Sequence, residues 1–294
     1  MHARHPRSGG TARNHRHRRP TGRGTRIVTR SLLALTGIGV VVASGLTMVS
    51  LSGAASGGHR SVVVFGDSYY STPDAPALQR PCAQSEHNWP RLAEERTGVT
   101  VHDWSCGGAT SASLLDRVKE SLVAGDLGQD TGTVFLSVGG NDFAHQDAVR
   151  GGTVDDLEGR RDIVLANVST AVGIIRATAP GARLVMSSYL PSTVGPYVCR
   201  TAGPVQGVSL PVYDPDLDAV EAYISETMAL AAQQHGADFV DLRAAAEGNS
   251  TCSPVGSRFV SGEQDGAADV LMAWHPTQAG AVFMADSLIP HFAD

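Results

Sequence analysis

From residue 61 onward, short apolar runs alternate with longer stretches in which apolar residues recur every three or four positions. SVVVF (61–65), VTVHDW (99–104), TVFLSV (133–138), RLVMSSY (183–189) and ADFVDL (237–242) read as strands, because β-branched residues run almost without interruption, as in strands covered on both faces. Between them, WPRLAEERT (89–97), SASLLDRVKESL (111–122), DLEGRRDIVLANVSTAVGIIRATA (156–179) and DLDAVEAYISETMALAAQQH (216–235) have helical spacing. This alternation predicts an α/β fold, a single three-layer α/β/α domain over 61–294 with a central, mostly parallel five-stranded sheet. Stretches 71–85, 190–213 and 246–272 are rich in Gly, Pro and Ser and read as loops at the rim. In such a sheet, ligands sit beyond the carboxyl ends of the strands.

Residues 1–60 are a different object. They hold ten arginines and no acid, leaving 13 basic and 29 acidic residues, a net charge of −16, for 61–294. The basic head is followed by the apolar SLLALTGIGVVVASGLTMVS and then by small residues suited to cleavage near Ala54 to Ser56, the order of a signal peptide. The apolar run is also long enough to stay uncleaved as a membrane anchor with its N-terminus inside, an alternative that the sequence leaves open. The length of the head makes Val28, which a GTG codon can supply, a candidate start. Either reading places the domain outside the cytoplasm, secreted or anchored at the extracellular face of the membrane. The acidic remainder argues against nucleic acid or an anionic membrane surface as its partner.

With 294 residues, 42% of them hydrophobic, the chain can bury a full core. Its four cysteines suit an oxidising compartment and two disulfides, for which three connectivities exist; we expect Cys82 with Cys106 and Cys199 with Cys252. No spacing matches a zinc CxxC pair or HExxH, so no metal or cofactor is expected.

Three of the expected strands end in glycine-bearing turns that carry a polar group. The first runs into FGDSYYS and presents Ser68; the second into WSCGGATS, where glycines let the backbone approach a ligand; the third into LSVGGNDF, with the Asn141 amide and Asp142 to brace the turn. Each is ordinary turn chemistry by itself. His275, in AWHPT, follows near the end, where Pro276 suits a first helical turn and would set the imidazole at a helix N-terminus that disfavours its charged form.

Together and in this order, these blocks resemble the SGNH hydrolases, the GDSL esterase and lipase family. The resemblance spans nearly all of 61–294 and assigns Ser68, Gly108 (with Gly107 as fallback), Asn141 and His275 to its four signature positions. It implies a flavodoxin-like fold and an acyl-enzyme mechanism. Ser68 attacks an ester carbonyl, His275 takes its proton, and an oxyanion hole forms from the Ser68 and Gly108 N–H groups and the Asn141 side chain. PCAQSEHNWPRLAEE followed by SCGGAT is similar to secreted actinobacterial members, which supports the Cys82–Cys106 pair. There is no GxSxG elbow, which argues against an α/β-hydrolase.

The sequence departs from the family at one position. Three residues before the histidine, where an aspartate is usual, stands Met272. Either a backbone carbonyl, that of Met272, orients the imidazole in a Ser-His dyad, or the loop brings Asp269 or Asp265 into range. The expected activity is hydrolysis of small-molecule or lipid carboxylic esters by a monomer. The alternatives are a carbohydrate acetylesterase of the same fold, whose sugar would stack on Tyr70, Tyr189, Tyr197 or Tyr213, and a catalytically silent cell-surface binder.

Overall fold

The computed structural model describes residues 60–202, 209–267 and 271–293, so the expected export segment and Asp269 lie outside the described residues. Along the chain the strands are β1 (Ser61–Gly66), β2 (Val101–Asp103), β3 (Thr131–Ser137), β4 (Arg183–Ser187), β5 (Thr193–Val194), β6 (Tyr197–Ala202), β7 (Ser209–Tyr213), β8 (Asp238–Val240) and β9 (Gln264–Asp265). The α-helices are α1 (Ser68–Ser71), α2 (Trp89–Thr97), α3 (Ser111–Ala124), α4 (His145–Ala148), α5 (Leu157–Thr178), α6 (Pro215–His235), α7 (Leu242–Ala245) and α8 (Gln278–Leu288).

The central sheet has the order β2-β1-β3-β4-β8, and every pairing in it is parallel. Its middle strands are the most apolar: Val62 to Phe65 and Val134 to Leu136 are sealed from solvent, as both-face coverage requires. Each such side chain contributes roughly 1.5–3 kcal/mol on burial. Helices α3, α5 and α6 pack side by side as one group, and α2 packs on α8 as another.

Local sequence sets the helix limits. In α2, Asn88 caps the start by accepting the Arg91 N–H at 3.1 Å, with Pro90 in the first turn. In α3, Thr110 and Ser113 form a capping box. Both disulfides join the expected partners, Cys82 with Cys106 and Cys199 with Cys252.

The stretch 190–213, expected as loop, instead contains strands β5, β6 and β7. They form a small antiparallel sheet, to which β9 adds in parallel beside β6. Its β7 strand is mostly exposed and carries Pro211, so neither burial pattern nor composition announces it.

Candidate active site

Because β1 lies between β2 and β3, the three glycine-bearing turns emerge side by side at one edge of the sheet. The β1 turn is held from below. Asp67 is buried and caps α1, its Oδ1 accepting the Tyr69 N–H at 2.9 Å while its Oδ2 accepts the Tyr189 hydroxyl. That hydroxyl in turn accepts the Gly140 N–H at 2.9 Å, so Tyr189, at the exit of β4, ties the Ser68 turn to the Asn141 turn. Burial pushes the Asp67 carboxyl up to about 6, against the two donors that favour its charge. Gly66 is needed for close approach: a Cβ there would lie 2.6–2.7 Å from the Tyr70 side chain.

The β2 turn is fastened to its neighbours. Cys106 N–H donates to the Gly66 carbonyl at 3.0 Å, and Gly107 N–H to the Cys82 carbonyl at 2.8 Å, across the disulfide. Gly107 is thereby committed to structure. Gly108 has φ +78°, where any side chain would be strained, and it is the better match to the expected glycine.

In the β3 turn, Asn141 Nδ2 donates one hydrogen to the Ala109 carbonyl at 2.8 Å, which leaves its second amide hydrogen for a ligand. Asp142 braces the turn as expected. Its carboxylate accepts from Ser111 N (2.9 Å) and Ser111 Oγ (2.6 Å), locking the β3 turn to the start of α3, and burial raises its pKa.

His275 is buried, with Nδ1 2.8 Å from the carbonyl of Ala273. A carbonyl only accepts, so Nδ1 carries the proton of the neutral ring and Nε2 presents its lone pair. The orienting carbonyl is one residue away from the expected Met272, whose oxygen is taken by Ser261 Oγ at 2.7 Å. Asp265 does not reach the imidazole either. It is sealed from solvent and paired with the equally buried Arg258 at 2.8 Å, an anion that the guanidinium needs where it is.

The histidine also stands further from a helix than Pro276 suggests. Thr277 is the N-cap of α8, accepting the Gly280 N–H at 3.1 Å, and Pro276 instead bridges to Val260. Burial, more than any helix dipole, keeps the ring neutral. It depresses the imidazole pKa to about 4, with the Ala273 carbonyl opposing and the nearby His145 and Arg150 adding to the depression.

Just before it, Trp274 is buried with φ +62°, a left-handed conformation that for a bulky residue costs about 1–3 kcal/mol. The Tyr69 ring packs beside the His275 ring (5.8 Å between centroids) and stacks on Tyr189 (4.6 Å).

Ser68, Gly107, Gly108, Asn141 and His275 line one cleft of about 280 Å³, together with Pro73, Leu78, Ala83, Gln146 and Met272. Its apolar wall comes from 71–85 and Met272; none of the described residues of 190–213 lines it. Tyr70 and Tyr189 are core residues, and Tyr197 and Tyr213 pack on each other on the small sheet (5.7 Å). Asp67, Tyr189 and Ala273 were not legible as site residues. Asp67 reads as a turn former, Tyr189 as a strand-end aromatic offered for sugar stacking rather than as a brace, and a backbone carbonyl carries no residue-type signal.

Residues 64–282 match the model of the GDSL-like Lipase/Acylhydrolase family. Among curated proteins, "Lipase 2" of Streptomyces coelicolor is 29% identical over 254 residues (76% of this chain, 83% of that protein). An "Esterase" of Streptomyces scabiei is 28% identical over 280 residues (74% and 81%). Among solved structures, an extracellular lipase from Streptomyces rimosus superposes with TM-score 0.54 at 21% identity, over 79% of this chain and 97% of that one. A phospholipase A1 from Streptomyces albidoflavus gives 0.53 at 20%, over 79% and 98%, and both share the fold. With three quarters of its length matched by the family model and the four signature residues around one cleft, the chain belongs to the GDSL-like lipase/acylhydrolase family and is a carboxylic ester hydrolase.

Proposed function

We propose that the protein is an extracytoplasmic serine esterase or lipase that works through a Ser68 acyl-enzyme with a Ser-His dyad. The observation that carries this reading is the convergence of Ser68, Gly108, Asn141 and His275 on one cleft with an aliphatic wall. Ser68 Oγ adds to the ester carbonyl while its proton passes to His275 Nε2. The oxygen that gains charge is met by the Ser68 and Gly108 N–H groups and the free Asn141 amide hydrogen. Collapse of the tetrahedral intermediate returns the proton from Nε2 to the departing alcohol, and water repeats the sequence on the acyl-enzyme. The Ala273 carbonyl fixes the Nδ1–H tautomer and gives the imidazolium a dipole where other members use a carboxylate.

Pro73, Leu78, Ala83 and Met272 suit an acyl chain better than a sugar, since the tyrosines that a polysaccharide would stack on lie in the core or on the small sheet. Two disulfides support a location outside the cytoplasm, as does the name of the S. rimosus neighbour. Among the described residues no helix is long and apolar enough to cross a membrane, so attachment would fall to the segment before residue 60. We propose a monomer acting on small-molecule or lipid esters.

The test is hydrolysis of p-nitrophenyl esters from acetyl to palmitoyl by the purified protein and by Ser68→Ala. Each methylene laid on the aliphatic wall adds about 0.8 kcal/mol, so kcat/KM is expected to climb from acetyl and level off once the wall is covered. Ser68→Ala is expected to abolish activity on every ester. Equal rates in both proteins would remove Ser68 as the nucleophile, and a sharp optimum at acetyl would favour the acetylesterase reading.

A further inference from the structure

The dyad depends on a carbonyl arriving at Nδ1, and a carbonyl is aimed by the backbone on either side of it. Here the residue after the carbonyl is Trp274, in the left-handed region where a tryptophan does not rest without restraint. Its ring is sealed from solvent, so its indole N–H must find a protein acceptor. That acceptor is the Glu263 carboxylate, whose Oε2 takes the Trp274 Nε1–H. The backbone on both sides of the ring is pinned to Ser261, which accepts the Trp274 N–H and donates its own N–H to the His275 carbonyl, each at 3.2 Å. Glu263 directly precedes β9, which pairs with β6, so the carboxylate is mounted on the small sheet.

We propose that Glu263 is a positioning residue for ester hydrolysis: by holding the Trp274 indole it keeps Trp274 left-handed and so keeps the Ala273 carbonyl on His275 Nδ1. The inference rests on the reading of His275 as the base. Glu263 thus stands in for the missing aspartate at one remove, setting the direction of the group that touches the imidazole. Its other contact, an ion pair with Arg150 Nε at 3.4 Å, is half exposed and contributes little. Without the carboxylate, the indole N–H would have to turn toward water, and the backbone at 274 would relax with it.

The experiment compares full-length Glu263→Ala, Glu263→Gln, Trp274→Phe and the double variant Glu263→Ala/Trp274→Phe. It measures kcat and KM on the p-nitrophenyl ester that the wild type cleaves best, and reads the His275 tautomer by ¹⁵N NMR. Glu263→Ala and Trp274→Phe are each expected to lower kcat about ten- to a hundredfold, with KM changing by no more than about twofold. Glu263→Gln, whose amide oxygen accepts the same N–H, should recover most of the loss, and the double variant should be no worse than the poorer single. The Nδ1–H tautomer should dominate in the wild type and in Ser68→Ala, and give way to a mixture in Glu263→Ala.

Wild-type kcat and tautomer in Glu263→Ala would overturn the proposal. So would additive losses in the double variant, or a Glu263→Gln as impaired as Glu263→Ala, which would put the effect on Arg150. Because the tautomer is read without turnover, it judges this inference even if Ser68→Ala keeps its activity and the reading of the nucleophile fails.

Discussion

In the proposed mechanism a buried imidazole sets the acid limit of the reaction. Only a neutral His275 could take the Ser68 proton there, and its pKa in the free protein is pushed down to about 4 by burial. The base is therefore in its working form throughout neutral pH, and protonation removes it only as pH falls through about 4. The acid limb of kcat/KM, which reports the free enzyme, is expected near pH 4, well below the ordinary histidine value. A pH-rate profile checks this; a limb near 6.5 would mean that the ring is hydrated before substrate binds. A base this weak gains little by holding the proton, so the preset tautomer and the oxyanion donors must carry more of the barrier. Removing one such donor costs about 2.7–4 kcal/mol in comparable sites.

At the level of elements, the β1 turn tolerates no added bulk. In Gly66→Ala the new methyl would meet Tyr70, which is itself fixed by a 2.7 Å hydrogen bond to Ser187 Oγ and an edge contact with Trp89. Neither partner is free to give way, so a loss of about 1–3 kcal/mol is expected, read as a lower urea midpoint at unchanged slope. A change under about 0.5 kcal/mol would show that the turn yields. The same elements show what sequence can disclose. β1 and β3 were legible because both faces are buried, so their apolar runs are unbroken, and α2 was legible to the residue because Asn88, Pro90 and Gly98 mark its ends. The β6–β7 hairpin was not, because VGPYVCR and SLPVY carry the Gly and Pro of loops and β7 faces solvent without alternation. The side chains that gather in the candidate cleft were legible, since Ser68, Asn141 and His275 have chemistry of their own. The Ala273 carbonyl was not: every residue has one, and only the φ of Trp274 aims it.

Over the whole molecule, the Cys199–Cys252 bridge closes a loop across 53 positions and ties the small sheet to the segment that leads to His275. By chain entropy a loop of this size is worth about 4 kcal/mol, so the double variant Cys199→Ala/Cys252→Ala should lose about that much in denaturant unfolding. A loss below about 1 kcal/mol would indicate that the unfolded chain keeps this region together. The order of the parts along the chain has a consequence in time. Ser68 follows the first strand of the domain and His275 comes 207 positions later. α8, just beyond the histidine, packs on α2, and Ala293 N–H donates to Thr133 Oγ1 at 2.8 Å. During synthesis the proposed nucleophile is therefore made early and waits, without its proposed base, for nearly the whole domain to be translated. Closing contacts so distant in sequence is slow. An incomplete chain cannot hydrolyse an ester by this route, and the first turnover marks a finished fold.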